Sequence, residues 1–517
     1  MLLNFKHDLQ MLQQNSYRPE RWWRYLKKDF DSGWRMVDVA LLFLLFSTLL
    51  PVALAGLIIA FAALTKVFLI LRRKFKKPLV FTRRVWRLYA VTGILSTAAF
   101  LTCAIALGMR QNIWMQYSGP QITLGVLLLI TIFSWIPVML ALFLLQPLEK
   151  AISARYVNDA ARILRSMPDL KIVGITGSYG KTSTKHYLHR ILSEQFDVLM
   201  TPGSYNTTMG VVRTVREMMK PYHTIFICEM GAKQPGDIKE ICDLVHPQTG
   251  IITAVGPMHL ESFKTIERVQ STKFELVDAL PRDGFAVINQ DFEMCASRNV
   301  DNVTAVRYTA TDADGAQWRA ENISYSADGT EFDAVGPDGE RLHLRTRLVG
   351  ECNISNLMAA VITARHLGVS DENICRAVAD IEQVEHRLSI KRTPGGVTII
   401  DDAFNSNPSG SRMAVEVLSQ FKDGKRIIVT PGMIELGEQQ QQLNRELGEH
   451  IGRGVDIAFV VGEYNRDALC KGILSTDFPE ENLFAVPSFN EAQRILAGML
   501  KEGDTVLYEN DLPDTFK

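Results

Sequence analysis

The sequence Lys171-Ile-Val-Gly-Ile-Thr-Gly-Ser-Tyr-Gly-Lys-Thr-Ser-Thr-Lys185 decides the fold of the larger part of this chain. Its apolar, β-branched start predicts a strand over Ile172–Ile175, and the residues from Thr184 onward predict a helix. A glycine-rich turn between a strand and a helix lets backbone N–H groups surround phosphate oxygens. This order of strand, Gly-Lys-Thr and helix therefore predicts a nucleotide-binding phosphate loop.

The residues of this loop have separate predicted roles. Lys181 is expected to reach the β- and γ-phosphates of ATP, and the Thr182 hydroxyl is expected to meet Mg²⁺. The remaining loop residues of the predicted ATP site are Gly177, Ser178, Gly180 and Ser183. The usual pattern has a glycine five residues before Gly180, where this chain has Ile175, so the loop is a shortened variant.

The composition divides the chain into two unlike parts. Its 517 residues include 56 Lys and Arg and 57 Asp and Glu, and 47% are hydrophobic, which excludes extended disorder and a strongly basic nucleic-acid-binding protein. Nearly all long apolar runs lie between Val37 and Leu145. The seven scattered cysteines are typical of reduced thiols. The sequence therefore predicts a membrane domain over residues 1–149, followed by a soluble part.

Four transmembrane helices are predicted in the first domain, two within residues 37–71 and one each within 88–107 and 122–145. About 20 residues cross the hydrocarbon core of a bilayer, so the first apolar run is too long for one span. Arg72–Arg87 carries eight Lys and Arg and no acid, whereas Gly108–Gln121 carries a single Arg. Because basic loops stay on the cytoplasmic side, both termini are expected in the cytoplasm, at the inner or plasma membrane. Three spans, one of them long and tilted, are the alternative.

The phosphate loop resembles that of the Mur ligase family in its variant TGSxGKTST, most closely the MurF branch. Further motifs similar to those of the family follow in order. They are Thr201-Pro-Gly-Ser-Tyr-Asn206, Phe226-Ile-Cys-Glu-Met-Gly-Ala232, Thr253–Glu261, Ser271-Thr-Lys273-Phe-Glu275, Val349–Asn356, Ile400–Pro408 and Met433-Ile-Glu-Leu-Gly437. The resemblance implies a central P-loop ATPase domain over residues 150–384 and a C-terminal Rossmann-like domain over residues 385–517. Alternating predicted strands and helices independently indicate two α/β domains.

Membership of that family implies an ATP-dependent ligase that joins a carboxylate to an amine. ATP phosphorylates the carboxylate to an acyl phosphate, the amine attacks it, and phosphate leaves. The resemblance implies four catalytic residues, Lys181, His259, Lys273 and Arg387. It implies two Mg²⁺ ions held by Thr182, Glu229 and His259, and a carbamylated lysine at Lys273.

Residue chemistry alone leaves several of these roles open. Glu229 ends the apolar strand Thr224–Cys228, where a carboxylate either holds Mg²⁺ or is simply solvated. A lone histidine such as His259 is more often structural than a ligand, and Lys273 could equally be a solvated helix lysine. Carbamylation would turn the Lys273 cation into an anion, which suits a position near Mg²⁺.

The resemblance also implies residues that bind the nucleotide and the substrates. The nucleotide residues are Asn353, Asn356, Arg387 and Asp401. The substrate residues are Asn206, Asn405 and Asn407. Arg387 suits phosphate oxygens because its planar guanidinium donates two parallel hydrogen bonds. Composition equally allows Asn405 and Asn407 to belong to a plain turn-rich loop.

Two departures from the family alter the predicted substrate. The family's N-terminal domain, which holds the UDP-sugar end of the substrate, is expected to be absent, with membrane helices in its place. The ending Leu507-Tyr-Glu-Asn-Asp-Leu-Pro513 replaces the Lys-Gly-Ser-Arg-like ending of the MurF branch. We therefore expect a membrane-anchored ligase that joins an amino acid or dipeptide to a small or lipid-linked carboxylate of a cell-envelope or peptidoglycan-type precursor. Envelope-synthesis proteins are expected as partners, and nucleic acids are not.

Two other functions fit the same sequence. A polymer-forming ligase that resembles the poly-γ-glutamate synthetases would use the same phosphoryl-transfer residues. A non-catalytic ATP-binding scaffold for envelope synthesis would not need all of these phosphoryl-transfer residues. The presence of the complete set therefore favours an enzyme.

Overall fold

The computed structural model describes residues 2–15, 17–19, 22–23, 26, 39–43, 52–72, 78–108, 119–326, 329–384, 386–403 and 407–511. The chain divides into two compact units, with the division between Ala154 and Arg155. The described part of the first unit is helical, and the second unit contains two β-sheets.

The first unit is built from helices, and apart from the first of them they contain long apolar stretches. They are α1 (Leu2–Gln14), α2 (Val52–Arg72), α3 (Arg83–Gly108), α4 (Gly119–Ile132) and α5 (Trp135–Arg165). Among the described residues, two helical stretches are long and apolar enough to cross a membrane, Arg83–Cys103 and Trp135–Arg165, and Gly56–Thr65 is a shorter apolar stretch. The point at which residues 37–71 would divide into two spans lies outside the described residues. Within the described residues, these two stretches do not support the four spans predicted.

The span predicted within residues 122–145 is not one helix. α4 ends at Ile132 and α5 begins at Trp135, with a turn at Phe133 and Ser134. Pro137 lies in the first turn of α5, and because proline has no N–H it cannot donate to residue 133 and continue α4. The 14 residues of α4 extend only about 21 Å. α5 continues to Arg165, so the predicted domain boundary at residue 149 falls inside a helix.

The second unit begins with a nine-stranded sheet in the order β2-β3-β1-β4-β5-β6-β7-β8-β9. Its strands are β1 (Lys171–Thr176), β2 (Val198–Met200), β3 (Ile225–Glu229), β4 (Thr249–Ile252), β5 (Phe285–Asn289), β6 (Thr304–Thr309), β7 (Trp318–Ser326), β8 (Gly329–Val335) and β9 (Arg341–Thr346). Pairing is parallel from β2 to β7 and antiparallel from β7 to β9.

Eight helices accompany this sheet. They are α6 (Lys181–Leu192), α7 (Thr208–Met218), α8 (Asp237–Val245), α9 (Leu260–Phe263), α10 (Ile266–Asp278), α11 (Glu293–Ala296), α12 (Glu351–His366) and α13 (Asp371–Ala379). Val173 and Ile175 of β1 pack in one core with α6 and α12, and Ile172 packs in a second core with α7, α8 and α10. Because successive side chains of a strand point to opposite faces, β1 contributes to both cores.

A six-stranded sheet follows, in the order β10-β11-β15-β12-β13-β14. Its strands are β10 (Ser389–Arg392), β11 (Thr398–Asp402), β12 (Arg426–Thr430), β13 (Ile457–Val461), β14 (Leu483–Val486) and β15 (Thr505–Glu509). Its helices are α14 (Pro408–Ser419), α15 (Gln440–Gly454), α16 (Arg466–Leu474) and α17 (Phe489–Ala497). All pairs except β10–β11 are parallel, which confirms the predicted Rossmann-like domain.

Candidate nucleotide and catalytic site

The phosphate loop connects β1 to α6, as its sequence predicts. Two of its glycines are required by close contacts. A Cβ added at Gly177 would lie 2.1 Å from Thr253 Oγ1, and one added at Gly180 would lie 2.1 Å from Asn356 Oδ1. Gly180 also has a φ of 77°, in the left-handed region that favours glycine. The loop therefore has its compact shape because neither position carries a side chain.

Lys181 and Thr182 begin α6 beside the loop. Lys181 Nζ donates to the Gly177 carbonyl at 2.6 Å and to the Ser178 carbonyl at 3.2 Å. Removal from water lowers the pKa of Lys181 to about 8, although the charge of Glu229 opposes that shift. Thr182 Oγ1 donates to Glu229 Oε2 at 3.1 Å. The cation and the hydroxyl predicted to bind ATP and Mg²⁺ therefore lie next to one acidic side chain.

Glu229, at the end of β3, is the centre of a buried polar cluster. Lys185 Nζ donates to its Oε2 at 3.0 Å, and Asn206 Nδ2 donates to its Oε1 at 3.0 Å. Burial alone would raise the pKa of Glu229, but the charges of Lys185 and Lys181 outweigh it and lower the pKa below the usual range. Glu229 is therefore a carboxylate. Asn206, which is predicted to contact substrate, donates to this carboxylate.

Lys185 was not among the predicted site residues. Its side chain is fully buried and also donates to the Gly203 carbonyl at 2.6 Å, so it joins α6 to the loop that follows β2. The sequence feature that could have identified it is its spacing of four residues from Lys181, because residues at that spacing lie on the same face of a helix.

His259 and Lys273 lie after β4. His259 Nδ1 contacts the Glu435 carboxylate, which comes from the C-terminal domain. Lys273, in α10, is 3% exposed, and both burial and the positive charge of Lys181 lower its pKa well below the usual range. Lys273 is therefore a buried lysine close to Lys181, and the alternative of a solvated helix lysine is wrong.

Arg387 of the C-terminal domain lies near Thr182 and Glu229. Burial lowers the pKa of Arg387, while the negative charges of Asp402 and Glu229 oppose that shift. Arg387 and Thr182 both line a cavity of about 700 Å³ between α6 and the segment that enters the C-terminal domain. His186, in the same cavity, has its pKa lowered to about 4 by burial and by the charge of Lys185, so its ring is neutral. The cavity volume is in the range of small-molecule sites.

The asparagines predicted to bind ATP have structural contacts. Asn353 Oδ1 accepts a hydrogen bond from the Tyr187 hydroxyl at 2.7 Å, and Asn356 Oδ1 accepts one from Thr184 at 3.2 Å. Both asparagines are nine-tenths or more buried. They therefore attach α12 to α6, and Asn356 also limits the space at Gly180.

The remaining predicted residues lie at the C-terminal sheet. Asp401 Oδ2 accepts a hydrogen bond from His386 Nδ1 at 2.7 Å. Asn407 caps α14 through a hydrogen bond from the Gly410 N–H to its Oδ1 at 2.8 Å. Asn405 lies outside the described residues. Among those that are described, no three His, Cys, Asp or Glu side chains gather as a ready metal site.

Comparison with known proteins identifies the two α/β domains. Residues 175–364 match the Mur ligase middle domain, and residues 386–508 match the glutamate ligase domain of Mur ligases. Together the two models cover more than half of the chain. The chain belongs to the Mur ligase family. Its two α/β domains are those of an ATP-dependent ligase.

Several relatives are named UDP-N-acetylmuramoyl-tripeptide–D-alanyl-D-alanine ligase. The Bacillus subtilis protein is 28% identical over 57% of this chain, and this match spans 63% of its own length. The Escherichia coli protein is 28% identical over 62% of this chain and 73% of its own length.

Solved MurF structures have the same fold. MurF from Acinetobacter baumannii covers 70% of this chain and 77% of its own, with a TM-score of 0.63 and 26% identity. MurF from Thermotoga maritima, solved in complex with ADP, covers 69% of this chain and 80% of its own, with a TM-score of 0.61 and 26% identity.

Proposed function

We propose that this chain is a membrane-anchored ligase that uses ATP to join a carboxylate of a peptidoglycan-type precursor to an amino acid or dipeptide. The observation that carries the proposal is the convergence of Lys181, Thr182, Glu229 and Arg387 on one site. Transfer of a phosphoryl group to a weak carboxylate nucleophile requires positioning and charge neutralisation more than covalent catalysis. A lysine and an arginine from two different domains supply that neutralisation where the acyl phosphate would form.

The donor atoms beside the phosphate loop fit Mg²⁺. Mg²⁺ prefers hard oxygen ligands, and the Thr182 hydroxyl and the ionised Glu229 carboxylate lie 3.1 Å apart. The proposed second ion would use His259. Bound Mg²⁺ would neutralise charge on the phosphates, while Lys181 and Arg387 orient their oxygens.

The environment of Lys273 fits the proposed carbamate. Only a neutral amine adds CO₂, and a pKa well below the usual range makes the neutral form of Lys273 more abundant. The product is an anion beside the positive charge of Lys181, which removes the repulsion between the two lysines.

The relatives' names support a substrate of the UDP-muramoyl-tripeptide and D-alanyl-D-alanine type. The changed C-terminal ending and the helical first unit favour a variant of that pair, and we propose a lipid-linked acceptor at the cytoplasmic face. The matched Mur ligase models begin only at residue 175, so the first unit lies outside them.

Exposed apolar side chains support the membrane anchor. Leu57, Phe61 and Leu64 of α2 are 69 to 74% exposed, and Phe143 and Leu144 of α5 are more than half exposed. Proteins in water rarely expose so many large apolar side chains together, and lipid chains would cover them in a membrane. We propose a multi-pass anchor in the inner or plasma membrane, with the ligase domains in the cytoplasm and envelope-synthesis proteins as partners.

The full chain in lipid nanodiscs tests this function. Phosphate release from ATP and Mg²⁺ would be measured with UDP-muramoyl-tripeptide or membrane extract as acceptor, across a panel of amino acids and dipeptides. We expect one pair to stimulate release and to give an amide product by mass spectrometry. Lys181→Ala should abolish release, and Lys220→Ala, at an exposed lysine, should not.

Three results separate the alternatives. A ladder of products with repeated mass increments would indicate a polymer-forming ligase. ATP binding with no stimulation by any acceptor and amine would indicate the scaffold and overturn the proposal. Activity that is equal in nanodiscs and in a chain truncated before residue 155 would remove the need for the anchor.

A further inference from the structure

The contact between His259 and Glu435 joins two loops that are 176 residues apart in sequence. His259 precedes α9 of the central domain, and Glu435 follows β12 of the C-terminal domain. Their side chains are only 17% and 21% exposed. The backbone adds a second link, because the Glu261 N–H donates to the Glu435 carbonyl at 3.4 Å.

The backbone at this contact is strained on both sides. His259 has a φ of 53° and Glu435 a φ of 62°, both in the left-handed region that residues with a Cβ rarely adopt. Such residues persist where the surrounding structure holds them, and they concentrate at functional sites. Gly437 allows the close approach, because a Cβ there would lie 3.3 Å from the Glu261 backbone nitrogen.

The contact also selects one form of the His259 ring. In a neutral imidazole one nitrogen carries the proton. Because a carboxylate only accepts, Nδ1 must carry it, and Nε2 keeps the lone pair that can bind a metal.

We propose that Glu435 is a positioning residue, which fixes the metal-binding tautomer of His259 only while the central and C-terminal domains are in contact. This inference rests on the proposed function, since it gives His259 its proposed role toward Mg²⁺. A carboxylate that orients a ligating histidine is a recurrent arrangement, and its loss typically costs 10- to 100-fold in metal affinity. Here the orienting carboxylate comes from the other domain, so metal binding and domain closure become coupled.

Kinetics of the full chain in nanodiscs test the proposal. The initial rate of phosphate release would be measured as a function of free Mg²⁺ at a fixed, saturating concentration of MgATP. The variants are Glu435→Ala, Glu435→Gln and the control Glu438→Gln, whose side chain is exposed. We expect Glu435→Ala to raise the half-saturating Mg²⁺ concentration about 10-fold or more. Glu435→Gln should have a smaller effect because its amide oxygen still accepts a hydrogen bond. The Michaelis constant for ATP should change less than twofold.

Hydrogen–deuterium exchange tests the contact without catalysis. Exchange in the peptide 257–264 should increase in Glu435→Ala and stay unchanged in Glu438→Gln. If Glu435 acts through His259, then adding Glu435→Ala to the His259→Ala variant should cause no further loss of the phosphate-release rate.

Two results would overturn the inference. One is a lower melting temperature of Glu435→Ala with an unchanged Mg²⁺ dependence, because that indicates a purely structural contact. The other is unchanged exchange at 257–264. Absence of ligation by the wild-type chain would instead refute the proposed function, and the exchange measurement would still decide whether the contact exists.

Discussion

Lys185 Nζ lies 3.0 Å from Glu229 Oε2, and both side chains are at most 1% exposed. Removing one partner of a buried ion pair leaves an uncompensated charge, which typically costs about 3 to 5 kcal/mol. We predict that Lys185→Met lowers the melting temperature and weakens Mg²⁺-dependent ATP binding. Thermal unfolding and calorimetric titration with ATP would measure both. Lys239→Met, at an exposed lysine, is the control, and equal stability of the two variants would contradict the prediction.

Gly180→Ala should weaken ATP binding by about tenfold or more. The added Cβ would lie 2.1 Å from Asn356 Oδ1, so the phosphate loop would have to move. Gly339→Ala is a matched control, because Gly339 has a similar φ of 79° but nothing within 4 Å of the added Cβ. Isothermal titration with ADP would compare the two variants. If both bind ADP equally well, the close contact at Gly180 does not shape the site.

Lys273→Ala should reduce ligation by about 100-fold, and short carboxylates such as formate or acetate should restore part of it. The reason is that a free anion can occupy the place of the proposed carbamate. Lys239→Ala should retain activity and show no response to added carboxylates. Initial rates of phosphate release would be measured with and without the additives. Full activity of Lys273→Ala would refute the carbamate.

Asp402→Asn should stabilise the protein increasingly as the pH rises from 5 to 7. Burial, helped by the charge of Glu509, raises the pKa of Asp402 to about 7 in the folded state, against about 4 in the unfolded chain. Within that interval the unfolded chain releases a proton that the folded protein keeps, so wild-type stability falls as the pH rises. Above about pH 8 the difference in stability between Asp402→Asn and the wild-type protein should stay constant.

Melting temperatures at pH 5, 6, 7 and 8 would measure this effect. Asparagine keeps the oxygen that accepts the Leu388 N–H at 3.1 Å, so the variant should fold. Asp423→Asn, at an exposed carboxyl, is the control for replacing a carboxyl by an amide. A stability difference between Asp402→Asn and wild type that is constant from pH 5 to 8 would contradict the prediction.

Local sequence was sufficient to predict the elements that build the site. The apolar run Ile172–Ile175 was predicted as a strand, and the strand is found over Lys171–Thr176. Such runs are buried on both faces of a parallel sheet, and the glycines that follow β1 allow only a tight turn. The strand, the turn and the helix of the phosphate loop could therefore be predicted from local sequence.

The contacts between distant segments could not be predicted. No local pattern connects Glu435 with His259, because only the packing of two domains brings them together. The same holds for Asn353, whose hydrogen bond with Tyr187 crosses 166 residues. The interruption at Phe133 and Ser134 does not follow from apolar length, because the run stays apolar on both sides of Pro137.

Glu229 accepts hydrogen bonds from Thr182 and Lys185 of α6 and from Asn206 in the loop that follows β2. One carboxylate with two oxygens thus serves three donors, and none of them can change without altering the other two. Their effects on stability should be strongly non-additive. Across an evolving lineage these positions would be replaced together or not at all, so the cluster constrains which sequences are accessible to the chain by single substitutions.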